Sequence, residues 1–73
     1  MTQNVPAPIV GSIWQIQVAV GEHVEVGQTL LVLESMKMEI PIVAPISGNV
    51  DAIPIELNQI VQEGDVVATL SAV

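Results

Sequence analysis

Apolar and polar positions alternate along much of the chain. Ile16, Val18 and Val20 interleave with Gln15, Gln17 and Ala19, and Ile53, Ile55 and Leu57 interleave with Pro54 and Glu56. A period of two sends successive side chains to opposite faces of a strand. Turn-forming residues punctuate these runs at Gly11-Ser12, Gly21-Glu22, Val26-Gly27-Gln28, Gly48-Asn49, Leu57-Asn58-Gln59 and Glu63-Gly64-Asp65. The spacing predicts eight short strands near residues 5–10, 12–20, 23–26, 29–34, 38–44, 49–56, 60–63 and 66–71. No twelve-residue segment carries a helical stripe, so the chain reads as all-β, a sandwich or small barrel. Pro54 has no N–H for a ladder and is expected at an edge or a bulge. Residues 1–4 are expected to be a loose terminus of a single domain spanning residues 1–73.

The pattern is written twice. Residues 7–34 laid over residues 44–71, an offset of 37 without gaps, give eight identities in 28 pairs. Ala7-Pro8-Ile9-Val10-Gly11 falls on Ala44-Pro45-Ile46-Ser47-Gly48, Ile16 on Ile53, Val24 on Val61, Gly27 on Gly64 and Leu33 on Leu70. Two copies are too few for a solenoid, so the expectation is a closed domain with pseudo-twofold symmetry.

Residues 35–43 have no repeat partner. Strands on either side imply a tight connection at Met36-Lys37, which puts Lys37 at a hairpin tip. Two-residue hairpins favour Asn-Gly, Asp-Gly or Gly at the turn, whereas this one offers Met and Lys between apolar neighbours. A local rule broken at one place marks a candidate site. Met36 and Met38, at i−1 and i+1 of Lys37, read either as core filler or as recognition residues projecting to the face opposite the lysine. Glu34 and Glu39 are candidate ion-pair partners for Lys37. A self-activated amine nucleophile needs burial or a neighbouring cation, and Lys37 is the only Lys in a chain without Arg, with acids on both sides. An amine acylated by another enzyme fits better.

Composition narrows the function. One Lys, no Arg and eight Asp/Glu give a net charge of −7, which excludes a nucleic-acid binder working by phosphate neutralisation and argues against docking on anionic membrane. The apolar runs are too short and too interrupted for a spanning helix, and the start lacks the basic residues of a secretory signal; a cytoplasmic location is expected. Without Cys there are no disulfides or thiolate metal sites, and His23 alone cannot build a His cluster. Ser12, Ser35, Ser47 and Ser71 have only His23 as a base, without triad spacing; His23 reads as a strand-surface residue. Asp51, Glu56, Glu63 and Asp65 read as a solvated acidic face. With no Phe or Tyr and a single Trp, the core must be aliphatic.

Glu34-Ser35-Met36-Lys37-Met38, the paired Ala-Pro-x-x-Gly turns at 7–11 and 44–48 and the paired Val-x-x-Gly turns at 24–27 and 61–64 together resemble the biotinyl domains, the carriers of biotin-dependent carboxylases. The resemblance covers roughly residues 5–72. It implies a flattened β-barrel or barrel-sandwich hybrid of two four-stranded antiparallel sheets, with biotin in amide linkage on Lys37. It also implies recognition roles for Glu34, Ser35, Met36 and Met38. The implied partners are a biotin protein ligase that acylates Lys37, a biotin carboxylase, and a carboxyltransferase that moves the carboxyl group to an acceptor, typically an acyl-CoA. The chain itself would be a non-catalytic carrier. The related lipoyl domains usually place Asp-Lys-Ala at this hairpin, so Met36 and Met38 favour biotin. Val20-Gly21-Glu22-His23 leaves no room for the thumb loop of some bacterial carriers, and only Pro6-Ala7-Pro8 stands where many have a long linker. The competing readings are a lipoylated or dual biotin/lipoyl carrier and an unmodified structural module of the same architecture.

Overall fold

The computed structural model describes residues 2–72. It contains β1 (Thr2–Pro6), β2 (Gly11–Ile16), β3 (His23–Val24), β4 (Thr29–Ser35), β5 (Met38–Val43), β6 (Gly48–Ala52), β7 (Ile60–Val61) and β8 (Val66–Ala72), and no helix among the described residues. Two four-stranded antiparallel sheets form, in the orders β1-β8-β6-β3 and β5-β4-β2-β7. Adding 37 carries β4 onto β8, β2 onto β6 to within one residue, and β1 onto residues 39–43 of β5, so the two sheets are related by the sequence repeat, and residues 39–43, expected to have no repeat partner, have one in β1. Between them lies an aliphatic core in which Ile13, Leu30, Leu31, Leu33, Val50, Val61, Val67 and Leu70 are essentially inaccessible.

The halves interlock rather than merely stack. Ala7 N–H donates to Asp65 O (2.8 Å) and Gly64 N–H to Ala7 O (2.9 Å); at the equivalent positions Ala44 N–H donates to Gln28 O (2.8 Å) and Gly27 N–H to Ala44 O (2.8 Å). Likewise Asn58 N–H donates to Ile13 O (2.7 Å) and Gly21 N–H to Val50 O (2.7 Å). Each half therefore satisfies buried backbone groups of the other, and neither is expected to fold alone.

One turn design recurs four times, at 19–22, 25–28, 56–59 and 62–65. The fourth residue's N–H donates to the first residue's carbonyl, at 3.0–3.1 Å. In return, the first residue's N–H is capped by the fourth side chain: Ala19 by Glu22, Glu25 by Gln28, Glu56 by Gln59 and Gln62 by Asp65, at 2.8–3.2 Å. The third position is left-handed each time, held by Gly21, Gly27 and Gly64 and, in the remaining case, by Asn58 (φ 68°). Val20, Val26 and Leu57 occupy the protruding second position, which is why these large apolar residues are exposed.

These turns correct several expected boundaries. The turns at 25–28 and 62–65 cut the third and seventh strands to two residues each. The first strand runs over Thr2–Pro6 instead of 5–10, because Ala7 leaves the ladder to bond across to the other half. Of the terminus expected to be loose, Met1 lies outside the described residues and Thr2–Asn4 pair with β8. The second strand ends at Ile16 and the sixth at Ala52. Both contain a register shift, with Trp14 and Asp51 as the extra residues at repeat-equivalent positions. Pro54 thus lies beyond the ladder, not at an edge within it. The prolines that do sit in strands are Pro6 in β1 and Pro41 in β5, and both strands are sheet edges, where proline is tolerated.

Candidate functional site

The hairpin between β4 and β5 carries the candidate site. Six cross-strand pairs, from Thr29↔Val43 to Ser35↔Met38, run the ladder to the last residue before the turn. The connection is two residues long, and both are left-handed: Met36 has φ 52° and Lys37 φ 64°. Positive φ at both central positions is the signature of a type I′ turn, whose twist matches that of the flanking strands. For residues carrying a Cβ this conformation costs about 1–2 kcal/mol each. The turn the sequence lacked residues for is therefore made anyway, at the expense of backbone strain.

The strained turn fixes what is presented. Lys37 is exposed and makes no ion pair among the described residues, so the pairings with Glu34 and Glu39 considered from sequence do not form. Met36 is 88% exposed and Met38 62%, which excludes the core-filler reading of both. Strand alternation does not govern Met36 and Lys37, because both belong to the turn; the expectation that Met36 and Met38 share the face opposite Lys37 gives way to a tip surrounded by exposed thioethers. Ser35, opposite Met38, is buried. Glu34 and Glu39 face each other directly one pair below the turn, both exposed.

Gly11 supports this hairpin from behind. A Cβ at Gly11 would lie 2.5 Å from Glu34 O and 3.0 Å from Leu33 Cγ. The residue reads as a turn signal in the sequence, yet it stands in β2 and lets that strand close on β4 next to Glu34. The signal that identifies it is the repeat: Gly48, its equivalent, presses in the same way on Ser71 O.

Elsewhere, His23 Nε2 pairs with Glu25 Oε2 at 2.5 Å, and Ser47 Oγ accepts from Val26 N–H at 3.0 Å and reaches Glu25 Oε1 at 3.5 Å. The Glu25 hydrogen bond raises the His23 pKa above its usual 6.5, and Asn49 adds to it. Glu25 stands between the serine and the imidazole, the wrong order for an activated hydroxyl. The remaining serines are not brought to His23 by any hydrogen bond. Among the described residues no group of three or more His, Cys, Asp or Glu side chains could hold a metal, and no helix is long and apolar enough to cross a membrane.

Comparison with known proteins agrees with this architecture. A family model described as "Biotin-requiring enzyme" matches residues 3–70. The biotin/lipoyl attachment protein of Bacillus subtilis is 45% identical over 68 residues, covering 93% of both chains. The biotinylated protein TB7.3 homolog of Mycobacterium leprae is 38% identical over 71 residues, covering 97% of this chain and all of its own. The Kluyveromyces lactis urea carboxylase contains a segment that superposes with a TM-score of 0.92 at 32% identity, covering 97% of this chain and 6% of that one. A repeat-built pair of sheets, an exposed lysine on a left-handed hairpin and these matches over nearly the whole length lead to one statement of kinship: the chain belongs to the biotin/lipoyl attachment domain family.

Proposed function

We propose that residues 1–73 form a single non-catalytic carrier domain that bears biotin in amide linkage on Lys37 and serves a biotin-dependent carboxylase. The observation that carries this reading is the isolated amine on a strained, exposed two-residue turn. A fold gains nothing from that strain, whereas a partner gains a lysine whose backbone is already set in one conformation, which lowers the entropy cost of engagement.

Loading would proceed by attack of Lys37 Nζ on the carboxyl carbon of an acyl-adenylate supplied by a biotin protein ligase. The C–N bond forms, the C–O bond to the adenylate breaks, and the amine gives up a proton. Biotin held on Lys37 would supply a ureido group able to carry a carboxyl group between a biotin carboxylase and a carboxyltransferase. The chain's own contribution is presentation: the β4–β5 ladder holds the tip, and Glu34, Met36 and Met38 surround it as the partners' recognition surface, above the buried Ser35. Tethering keeps the carried group at high effective concentration near its second site. The acceptor proposed is an acyl-CoA, and the location cytoplasmic.

The test is intact-mass and peptide-level mass spectrometry after co-expression with a biotin protein ligase. A single biotinyl adduct on Lys37, absent from Lys37→Arg, is expected. An unmodified chain, or an adduct elsewhere, overturns the proposal. Parallel loading with a lipoate ligase decides the lipoyl alternative, to which the name of the Bacillus subtilis relative points.

A further inference from the structure

The two sheets share a backbone plan, so one serves as a control for the other. Outward-facing positions lie between core residues on each strand; Val32, for example, sits between the core residues Leu31 and Leu33 and outside the core cluster. On the sheet without the hairpin, these positions are polar: His23, Asp51, Thr69 and Asn4. Their equivalents, 37 residues away on the sheet bearing Lys37, are Ile60, Trp14, Val32 and Pro41. The cross-strand registers correspond: Ile60 pairs with Ser12 as His23 does with Asn49, and Pro41 pairs with Val32 as Asn4 does with Thr69. Since the same ladder is built with polar residues at every one of these places, the ladder itself does not require the apolar set; Val32 alone among its members is covered.

Ile60 is nonetheless 67% exposed, and Trp14, the only aromatic residue in the chain, is 42% exposed on its bulge. Bulges re-aim side chains, and Trp is among the residues enriched at binding hot spots. The next row toward the turn holds Glu34 opposite Glu39, where the other sheet has Ser71 opposite Thr2. Like charges placed directly opposite are unfavourable, and no cation pairs with them among the described residues.

We infer that the outer face of the β5-β4-β2-β7 sheet, centred on Trp14 with Ile60 and Pro41 over the covered Val32 and rimmed by Glu34 and Glu39, is the docking surface for the enzyme that acylates Lys37. This deepens the carrier reading and rests on it. The occupant is a protein surface with an apolar recess for the indole and Lys or Arg at its rim. The acylating enzyme is the partner assigned because it meets the bare amine. No attached group contributes to its affinity, so the protein face must supply it, and this face adjoins the tip.

The repeat itself supplies substitutions that the ladder accepts. Trp14→Asp with Ile60→His copies the opposite sheet, and Glu34→Ser with Glu39→Thr copies its rim. With biotin protein ligase, ATP and biotin, the first pair lowers kcat/KM by at least about tenfold, chiefly through KM, as loss of an interface anchor does. The second pair flattens the rise of KM with salt. His23→Ala with Asp51→Ala, on the opposite sheet, stays within about twofold. Independently of any folding effect, Lys37→Arg chain labelled with 5-fluorotryptophan shifts its single 19F resonance when the ligase is added. An unchanged KM in a folded Trp14→Asp/Ile60→His variant, or an unmoved 19F resonance at saturating ligase, overturns the inference. Wild-type chain that acquires no acyl group on Lys37 by mass spectrometry instead overturns the carrier reading, and this inference with it.

Discussion

Gly11→Ala and Gly48→Ala are the same substitution made in the two halves of one repeat, and they separate stability from function. Neither glycine has a positive φ; each is required because a neighbouring carbonyl occupies the space of a side chain. The new Cβ would sit 2.5 Å from Glu34 O in one case and 2.2 Å from Ser71 O in the other. Both fall roughly an ångström inside ordinary van der Waals contact, and the obstruction is backbone, which yields only if the strand moves. A shift of that size takes ladder hydrogen bonds out of their 2.7–3.2 Å range. Overpacking of this kind costs about 1–3 kcal/mol, reduced by the roughly 0.4–1 kcal/mol that Ala gains by restricting the unfolded chain. The net expectation is a loss of about 1 kcal/mol for Gly11→Ala and about 2 kcal/mol for the tighter Gly48→Ala, with Tm falling roughly 4–8 °C per kcal/mol in a domain of this size. Thermal melts by circular dichroism measure this directly. The functional effect should split the pair. Gly11→Ala displaces Glu34, three residues from Lys37, and slows ligase-catalysed acylation at temperatures where the variant is folded; Gly48→Ala displaces Ser71 on the opposite sheet and leaves acylation near wild type. Unchanged melts would refute the close-approach argument, and equal acylation in both variants would refute the coupling of Gly11 to the hairpin.

Three further outcomes follow from the geometry. Replacing Met36-Lys37 by Asn-Gly relieves two left-handed residues and raises stability by about 2 kcal/mol in a chemical-denaturation series while abolishing modification; no gain would mean the turn is not strained. Met36→Leu with Met38→Leu keeps Tm within a few degrees, since neither thioether is buried and exposed substitutions fall within about 0.5 kcal/mol; a large loss would restore a packing role. Because the folded His23 pKa is raised by Glu25, the stability this pair contributes is fully present below pH 6.5 and disappears as pH rises through the folded-state value. The Tm difference between wild type and His23→Gln should accordingly favour wild type at pH 5.5 and shrink toward zero by pH 8.5; a difference that grows with pH contradicts the pairing.

Strands, their number and the repeat were legible because period-two patterning and turn residues are local signals. Lys37 was legible because it interrupts the repeat with the only Lys of the chain. Strand ends were not: Ala7 and Ala44 look like strand residues and leave the ladder only because carbonyls of the opposite half receive their N–H groups, a nonlocal fact. The turn conformation at Met36-Lys37 ran against propensity, as tertiary constraint from the ladder overrides the preference for Asn-Gly. Asn58 reads as a turn signal in the sequence, but its specific task, to hold φ 68° where the other three turns use Gly, depends on the turn geometry. The contrast between Trp14 and Asp51 was present in the offset alignment, but it acquires meaning only when register shows that both are bulge residues on outer faces.

A duplicated fold carries its own reference state. Where the halves agree (Gly11 and Gly48, Ala7 and Ala44, Leu33 and Leu70) the environment explains the residue: a carbonyl at the Cβ position, an interlocking hydrogen bond, a core contact. Where they disagree in a matched environment, packing is no longer a sufficient reason. By that criterion the disagreements concentrate on one sheet: the left-handed two-residue turn at Met36-Lys37, the acid pair at Glu34 and Glu39, and the apolar row through Trp14. Each is unfavourable for an isolated folded domain, through backbone strain, like-charge opposition or exposed apolar surface. Costs of the same kind gathered around a single amine are expected if selection acted on what meets that amine, and they would be scattered over both sheets if drift alone had separated the halves.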